Sequence, residues 1–169
     1  MYQKLVATLA LAAAAAACEG TTPPPTSTST LTSATIEARP FHTNVVEAAR
    51  RNQDYRHVLF TGARSQLALM TIPPGDDIGM ESHPRVEQLI FIVSGQGKSI
   101  VNGVETPVAA GDVVVATPGS RHDVVNTSSV PLQLYTIYSP PNHIDGRVHA
   151  TKADAEKDKA DEAFGAAVR

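Results

Sequence analysis

Cysteine is almost absent from this sequence, and extended runs of basic residues are missing altogether. The 169 residues include one cysteine, Cys18, which excludes an internal disulfide and a zinc cluster held by several thiolates. Because the formal net charge is −3 and no basic patch occurs, we expect no nucleic-acid partner. Internal repeats and nucleotide-binding glycine loops are also lacking. The remaining composition, 42% hydrophobic and 18% charged, is typical of one globular domain.

The first 17 residues have the pattern of an export signal. Lys4 precedes the apolar run LVATLALAAAAAA, which ends just before Cys18 and is short for a bilayer span. The Ala-Ala-Ala-Cys junction resembles that of bacterial lipoproteins, although Ala15 stands where they usually have leucine. The resemblance implies an exported, periplasmic protein that meets the membrane only through a lipid anchor at Cys18, and Glu19 favours the outer membrane. The alternative is ordinary cleavage after an Ala-x-Ala site, which leaves Cys18 as a free thiol.

Composition divides the rest of the chain into three parts. Residues 18–39 contain TTPPPTSTSTLTSAT, a tract that cannot bury enough apolar surface to fold, and we interpret it as a tether. Residues 40–149 carry the apolar patterning of a folded domain. Residues 150–169 are charged and rich in alanine, which predicts a solvated helical tail that packs lightly on the domain or frays.

Short apolar runs separated by Gly and Pro turns dominate the folded part. Seven such runs are predicted as strands: Arg56–Thr61, Gln66–Ile72, Gln88–Ser94, Lys98–Asn102, Val113–Thr117, His122–Thr127 and Leu132–Ser139. Runs of this length and spacing favour an all-β sandwich or barrel. Asn102-Gly103 predicts a two-residue hairpin, because both residues tolerate positive φ. Residues 44–52 are either a short helix or irregular.

Four polar side chains have a spacing that could direct them into such a barrel. Glu81 and His83 lie two residues apart, so in an extended segment they point to the same side. Gln88 opens the following strand, and His122 begins a later one. Two imidazoles with a carboxylate and an amide oxygen suit a divalent transition metal such as Mn, Fe, Co, Ni, Cu or Zn. We therefore predict a metal site, whose open positions could bind a small oxygenated molecule.

The same residues resemble the two sequence motifs of the cupin superfamily. The first motif, G-x5-H-x-H-x4-E-x6-G, is matched in spacing by Gly75, Glu81, His83, Gln88 and Gly95. The second, G-x5-P-x-G-x2-H-x3-N, is matched in spacing by Gly111, Thr117, Gly119, His122 and Asn126. Glu replaces the first His and Gln replaces the Glu, so the summed ligand charge stays at −1. The resemblance implies a jelly-roll β-barrel with a short C-terminal helical tail.

Glu87 competes with Gln88 for the place of the third ligand. The family accepts three or four residues between His and Glu, so both positions fit. Strand alternation means that residues 87 and 88 cannot both face inward. Gln88 keeps the six-residue gap to Gly95 and is preferred, because the carboxylate of Glu87 gains more from solvent.

Three classes of function remain open at this stage. The first is a metal-dependent enzyme of isomerase, dioxygenase or lyase type, with no catalytic residue assigned. The second is a non-catalytic module, tethered to the membrane, that binds a sugar or another small ligand. The third, a metal-free structural unit, is disfavoured because burying Glu81 without metal or hydrogen bonds is costly. Cupins of this type are often dimers, so the resemblance also allows a homodimer.

The stretch PPNHIDGRVH, at residues 140–149, supports two interpretations. A solvated loop is the simpler one. The other is a lid over the barrel mouth, in which His143 or His149 moves protons. In the preceding strand, Tyr135 and Tyr138 face opposite sides, so at most one of them can line the cavity.

Overall fold

A computed structural model describes residues 40–168, which form nine strands and three helices. The helices are α1 (Val45–Arg51), α2 (Lys152–Lys157) and α3 (Lys159–Ala166). The strands are β1 (Arg56–Thr61), β2 (Gln66–Ile72), β3 (Glu87–Ser94), β4 (Gln96–Val101), β5 (Val104–Ala109), β6 (Val113–Ala116), β7 (His122–Asn126), β8 (Leu132–Ser139) and β9 (Val148–His149). Within this range no helix has the length and hydropathy to cross a bilayer. The predicted signal (1–17), tether (18–39) and lipid anchor at Cys18 lie outside the described residues.

The strands form two antiparallel sheets, which confirms the predicted all-β, jelly-roll class. One sheet has the order β6-β3-β8-β2-β1-β9, and the other has the order β5-β4-β7. The smaller sheet is extended by residues 75–81, because bridges join Asp77 to Val125 and Glu81 to His122. This added segment matters for function, since it carries the first predicted metal ligands into the space between the sheets.

The interior between the sheets is apolar along most of its length. Side chains of β8 alternate between buried and partly exposed, as expected for a strand with one face on a core. Ile72, Ile90 and Leu132 are at most 1% exposed and pack in one cluster with Val124. The predicted ligands lie towards one end of the sheets, at His122, and the fully buried Asn126 lies at the other end of β7, where its amide donates to the carbonyl of Ile72.

All seven predicted strands appear within two residues of their expected bounds, but two further strands were missed. Strand β5 was missed because its sequence, VETPVA, contains Pro107 and is almost entirely exposed, as an edge strand tolerates. Strand β9 has only two residues. The hairpin at Asn102-Gly103 is confirmed, with both residues at positive φ and Val101 paired with Val104. The helical alternative for residues 44–52 is also correct, and Asn44 caps α1 by accepting from the Glu47 N–H.

The C-terminal tail differs from the solvated helix that its charge pattern predicted. It forms two helices that are separated at Asp158, whose side chain caps α3. Asp161 on α3 is only 3% exposed, and it accepts hydrogen bonds from the Ile144 N–H and the ring of His143. A buried carboxylate therefore fixes α3 to the loop after β8, which hydrophobic periodicity alone could not indicate.

Gly95 of the first motif and Gly103 of the β4–β5 hairpin provide a matched test of packing at two turns. Gly95 and Gly103 share a φ of 83°, so alanine pays a similar left-handed backbone cost of about 1 kcal/mol at each. A Cβ at Gly95 would lie 2.8 Å from the Pro131 carbonyl oxygen, whereas one at Gly103 meets nothing within 4 Å. We expect Gly95→Ala to lower the free energy of unfolding by about 1–3 kcal/mol more than Gly103→Ala, measured by urea denaturation. Equal losses would contradict the described turn after β3.

Candidate metal centre

Backbone pairing brings Glu81 and His122 side by side. The Glu81 N–H donates to the His122 carbonyl at 3.0 Å, and the His122 N–H donates to the Glu81 carbonyl at 2.9 Å. Two residues that exchange both hydrogen bonds lie directly opposite each other in an antiparallel ladder, with their side chains on the same face. The carboxylate oxygen of Glu81 consequently lies 3.4 Å from Nε2 of His122.

His83 is held in place by the turn that precedes β7. The Gly119 N–H donates to the carbonyl of His83 at 2.9 Å, and the Ser82 hydroxyl donates to the carbonyl of Gly119. The two sequence motifs are therefore joined at this point by backbone contacts. Nε2 of His83 lies 3.3 Å from the Glu81 carboxylate, and the rings of His83 and His122 are 5.5 Å apart.

The register of β3 places Gln88 inside the barrel and Glu87 outside. Gln88 is 1% exposed and pairs with Ala116 on β6 and Tyr138 on β8, while Glu87 is exposed. The side-chain oxygen of Gln88 lies 2.8 Å from Nε2 of His122, so the amide presents its oxygen to the cluster. The preferred inward orientation of Gln88 is thus found, while its role as a metal ligand stays a prediction.

The four side chains fit a metal ion by the chemistry of their donors. The ligand atoms of Glu81, His83 and His122 all lie within 4.8 Å of one another. Nε2 of His83 is buried without a hydrogen-bond partner among residues 40–168, as is Nε2 of Gln88. Nε2 of His83 meets Glu81 only as an ion-pair contact at 3.3 Å, and a cation bound between these donor atoms would satisfy both of them.

The electrostatics of the cluster favour ionised Glu81. Desolvation opposes its charge, but the adjacent imidazoles of His122 and His83 outweigh this and hold the pKa of Glu81 well below its usual range. Burial likewise disfavours a protonated His122, yet Glu81, the Ser120 carbonyl and nearby Asp123 raise the pKa of His122. A carboxylate that stays charged is a suitable ligand for a divalent cation.

The carbonyl of Ser120 orients the ring of His122. It lies 3.0 Å from Nδ1, which fixes Nδ1 as the hydrogen-bond donor and leaves Nε2 for the cluster. The Ser120 hydroxyl hydrogen-bonds to the hydroxyl of Thr117 and accepts from the side-chain amide of Asn102. The turn before β7 is therefore itself held by side-chain hydrogen bonds. Thr117 stands where the family motif has proline, and here it supplies one of these bonds.

A cavity of about 480 Å³ opens beside Glu81 and His83. Its other walls include Arg56 on β1, His143 in the loop after β8, and Asp161 on α3. The solvated-loop interpretation of residues 140–149 is wrong for the two histidines, because His143 is 6% and His149 3% exposed. Sequence reasoning missed Arg56 and Asp161 as cavity residues, since nothing in the charged tail distinguishes Asp161 from the other acidic residues around it.

Tyr138 fills the space between the metal cluster and His143. Its ring centroid is 6.1 Å from that of His83 and 4.8 Å from that of His143. Burial raises the pKa of Tyr138, so the phenol is protonated at neutral pH. Tyr135 lies on the opposite face of β8, stacked on Phe91, as strand alternation predicted.

Comparison with known proteins supports a cupin barrel. The family model of the Cupin domain matches residues 68–138. An uncharacterised protein of Bacillus subtilis, YrkC, is 41% identical over 124 residues, which are 69% of this chain and 66% of YrkC. The oxalate-binding protein of Thermotoga maritima is 31% identical over 70 residues, or 41% of this chain and 58% of that protein. The crystal structure of BH2720 from Bacillus halodurans superposes with a TM-score of 0.69 and 36% identity, covering 72% of this chain and 96% of that one.

Replacing Gln88 and its neighbour separately tests the ligand set. We expect Gln88→Ala to lower metal affinity by at least about 10-fold, and Glu87→Ala to leave it unchanged, because only residue 88 faces the cluster. Gln88→Leu, which nearly preserves the side-chain volume, controls for the loss of packing. Metal content is measured by mass spectrometry after dialysis against a graded chelator. Loss of metal from the Glu87 variant alone would contradict the described register of β3.

Proposed function

This chain belongs to the cupin superfamily, and we propose that it is a metal-dependent enzyme acting on a small oxygenated molecule. Glu81, His83, Gln88 and His122 would hold one divalent transition metal at the inner end of the cavity. The proposal rests on one observation: ligand atoms from three of these side chains lie within 4.8 Å of one another beside a cavity that can admit a ligand.

The chain's own residues have separate tasks at this site. A divalent metal supplies a Lewis acid that polarises a carbonyl or enediol oxygen. Glu81 contributes one negative charge, Gln88 a neutral oxygen, and Ser120 keeps the Nε2 lone pair of His122 directed at the cluster. Residues of α3, among them Asp161 and Gly165, form part of the cavity wall. Isomerisation, dioxygenation and lyase action all use a substrate bound through oxygen, and these are the proposed reaction classes.

A non-catalytic binding module is the second candidate. The similarity to a Thermotoga maritima protein named for oxalate binding supports it, because that name describes the binding of a small ligand. The same barrel could hold a small ligand or a sugar without turnover, and membrane tethering would place it where such ligands arrive.

We also propose that the protein is exported and attached to the periplasmic face of a membrane through a lipid on Cys18. The support comes from the sequence: Lys4, the short apolar run and the small residues before Cys18 have the pattern of an export signal, and residues 18–39 have the composition of a tether. An anchored domain would act on small molecules of the periplasm.

The anchor can be tested on the mature protein. We expect mass spectrometry of protein isolated from membranes to show an N-terminal diacylglycerol-modified Cys18 and no residues 1–17. Cys18→Ala removes the modification site and should release the protein into the soluble periplasmic fraction. An unmodified Cys18 in the native protein would contradict the lipid anchor and leave ordinary export.

The proposed activity is tested with natively exported protein. We expect about one metal ion per chain, and turnover of at least one member of a panel of dicarbonyls, flavonoids and sugar phosphates. His122→Ala should lose at least about 100-fold in metal affinity and lose turnover, whereas Glu87→Ala should keep both. Binding of a panel member without turnover would favour the binding module. Metal far below one ion per chain would overturn both metal-dependent proposals.

A further inference from the structure

A second charged cluster adjoins the metal triad on the wall of the same cavity. It consists of Arg56 from β1, His143 from the loop after β8, and Asp161 from α3. All three residues lie outside the range 68–138 that matches the Cupin domain. The segments flanking the barrel core therefore add a cationic group, with its supporting residues, to the cavity.

The guanidinium of Arg56 is buried but incompletely paired. Arg56 is 9% exposed, and its Nε has no hydrogen-bond partner among residues 40–168. One terminal nitrogen lies 3.2 Å from Nε2 of His143, and the other lies 3.7 Å from the Asp161 carboxylate, beyond hydrogen-bond distance. The Tyr138 hydroxyl also contacts the guanidinium. Arginine has five N–H donors in a rigid fork, so these contacts leave part of it unused.

Asp161 faces Arg56 as an ion pair at 3.7 Å but makes no direct hydrogen bond to it, because its oxygens are engaged elsewhere. One oxygen lies 2.7 Å from Nδ1 of His143, and the other accepts from the Ile144 N–H at 2.8 Å. Desolvation opposes the charge on Asp161, yet these hydrogen bonds and Arg56 hold the pKa of its carboxyl at about 2. Burial lowers the pKa of His143, so the imidazole is neutral and Nε2 accepts from Arg56.

An anionic ligand is what this arrangement lacks. A buried guanidinium is costly without charged hydrogen-bond partners, and a carboxylate matches its fork with two parallel hydrogen bonds. We propose that Arg56 binds a carboxylate of the ligand, so that the ligand is a small oxygenated carboxylic acid with one end on Arg56 and another oxygen directed at Glu81 and His83. The contact with Arg56 is independent of the proposed function; only the contact near Glu81 and His83 rests on it, because it requires the metal.

His143 and Asp161 act as positioning residues in this assignment. Asp161 donates no proton to the ligand, but it fixes the ring of His143, whose Nε2 holds one terminal nitrogen of Arg56. The same contacts attach α3 to the cavity wall, where Gly165 and Val168 also face the opening. The C-terminal helix is thereby part of the ligand site.

Two ligands that differ only at one end test the role of Arg56. Both carry a hydroxamic acid, which chelates a metal through two oxygens, joined by one to three methylene groups to either a carboxylate or a primary amide. With metal-loaded full-length protein, we expect calorimetry to show that the carboxylate ligand binds about 10–100-fold more tightly than the amide ligand. Arg56→Gln should remove this preference while leaving the affinity for the amide ligand nearly unchanged.

Arg85 provides the matched control, because it is exposed at the rim of the same cavity. Arg85→Gln makes the same change in charge and should keep most of the preference for the carboxylate ligand. Arg56→Lys keeps the charge without the fork and should retain part of it, which also guards against misfolding of Arg56→Gln. Measurable and equal affinity of the wild-type protein for the two ligands would overturn the inference, and so would a preference that survives Arg56→Gln.

The metal-free protein separates this inference from the proposed function. We expect acetate, but not acetamide, to shift the NMR resonance of the Arg56 Nε–H group in the chelator-treated protein. If acetate shifts this resonance while neither hydroxamate binds to protein incubated with the metal, the proposed metal site fails. The carboxylate site at Arg56 then stands by itself. If acetate leaves the resonance unchanged, Arg56 is a structural partner of Asp161, and the anion site is overturned whatever the metal content.

Discussion

The reciprocal backbone pairing of Glu81 with His122 is the constraint on which the site depends. It joins residues 75–81 to β7, and so extends the smaller sheet with the segment that carries the first motif. Because the two residues exchange both backbone hydrogen bonds, they lie directly opposite each other and their side chains point to the same face of the sheet. Gly119 then secures His83, and the register of β3 directs Gln88 to the same point.

The substitutions relative to the cupin motifs preserve a workable donor set. Glu81 brings the negative charge that the family usually places at the position of Gln88, and the two imidazoles remain. Both changed residues belong to the cluster: Glu81 lies beside both histidines, and Gln88 turns its amide oxygen to His122. The one negative charge of the donor set therefore lies at residue 81 instead of residue 88. The carboxylate oxygen of Glu81 takes the place of the nitrogen of the first histidine in the family motif.

The cavity is lined both by residues within the range that matches the Cupin domain and by residues outside it. Its inner end is built by the barrel core that the family shares, while Arg56, His143 and Asp161 come from segments on either side of that core. The core supplies the donor set for a metal, and the flanking segments supply the charge that would select a ligand. The family model therefore covers the residues at one end of the cavity, while Arg56, His143 and Asp161 lie outside the range that it matches.

The sequence by itself determined seven of the nine strands described, the hairpin at Asn102-Gly103 and the residues of both motifs, because these follow from local alternation and short spacing. Only the tertiary structure decided that Gln88 rather than Glu87 faces inward, since both fit the spacing and the register of β3 against β6 and β8 chooses between them. It also decided that Asp161 is buried against His143 across the fold. A contact between residues 18 positions apart has no periodicity, so it becomes visible only when the chain has closed on itself.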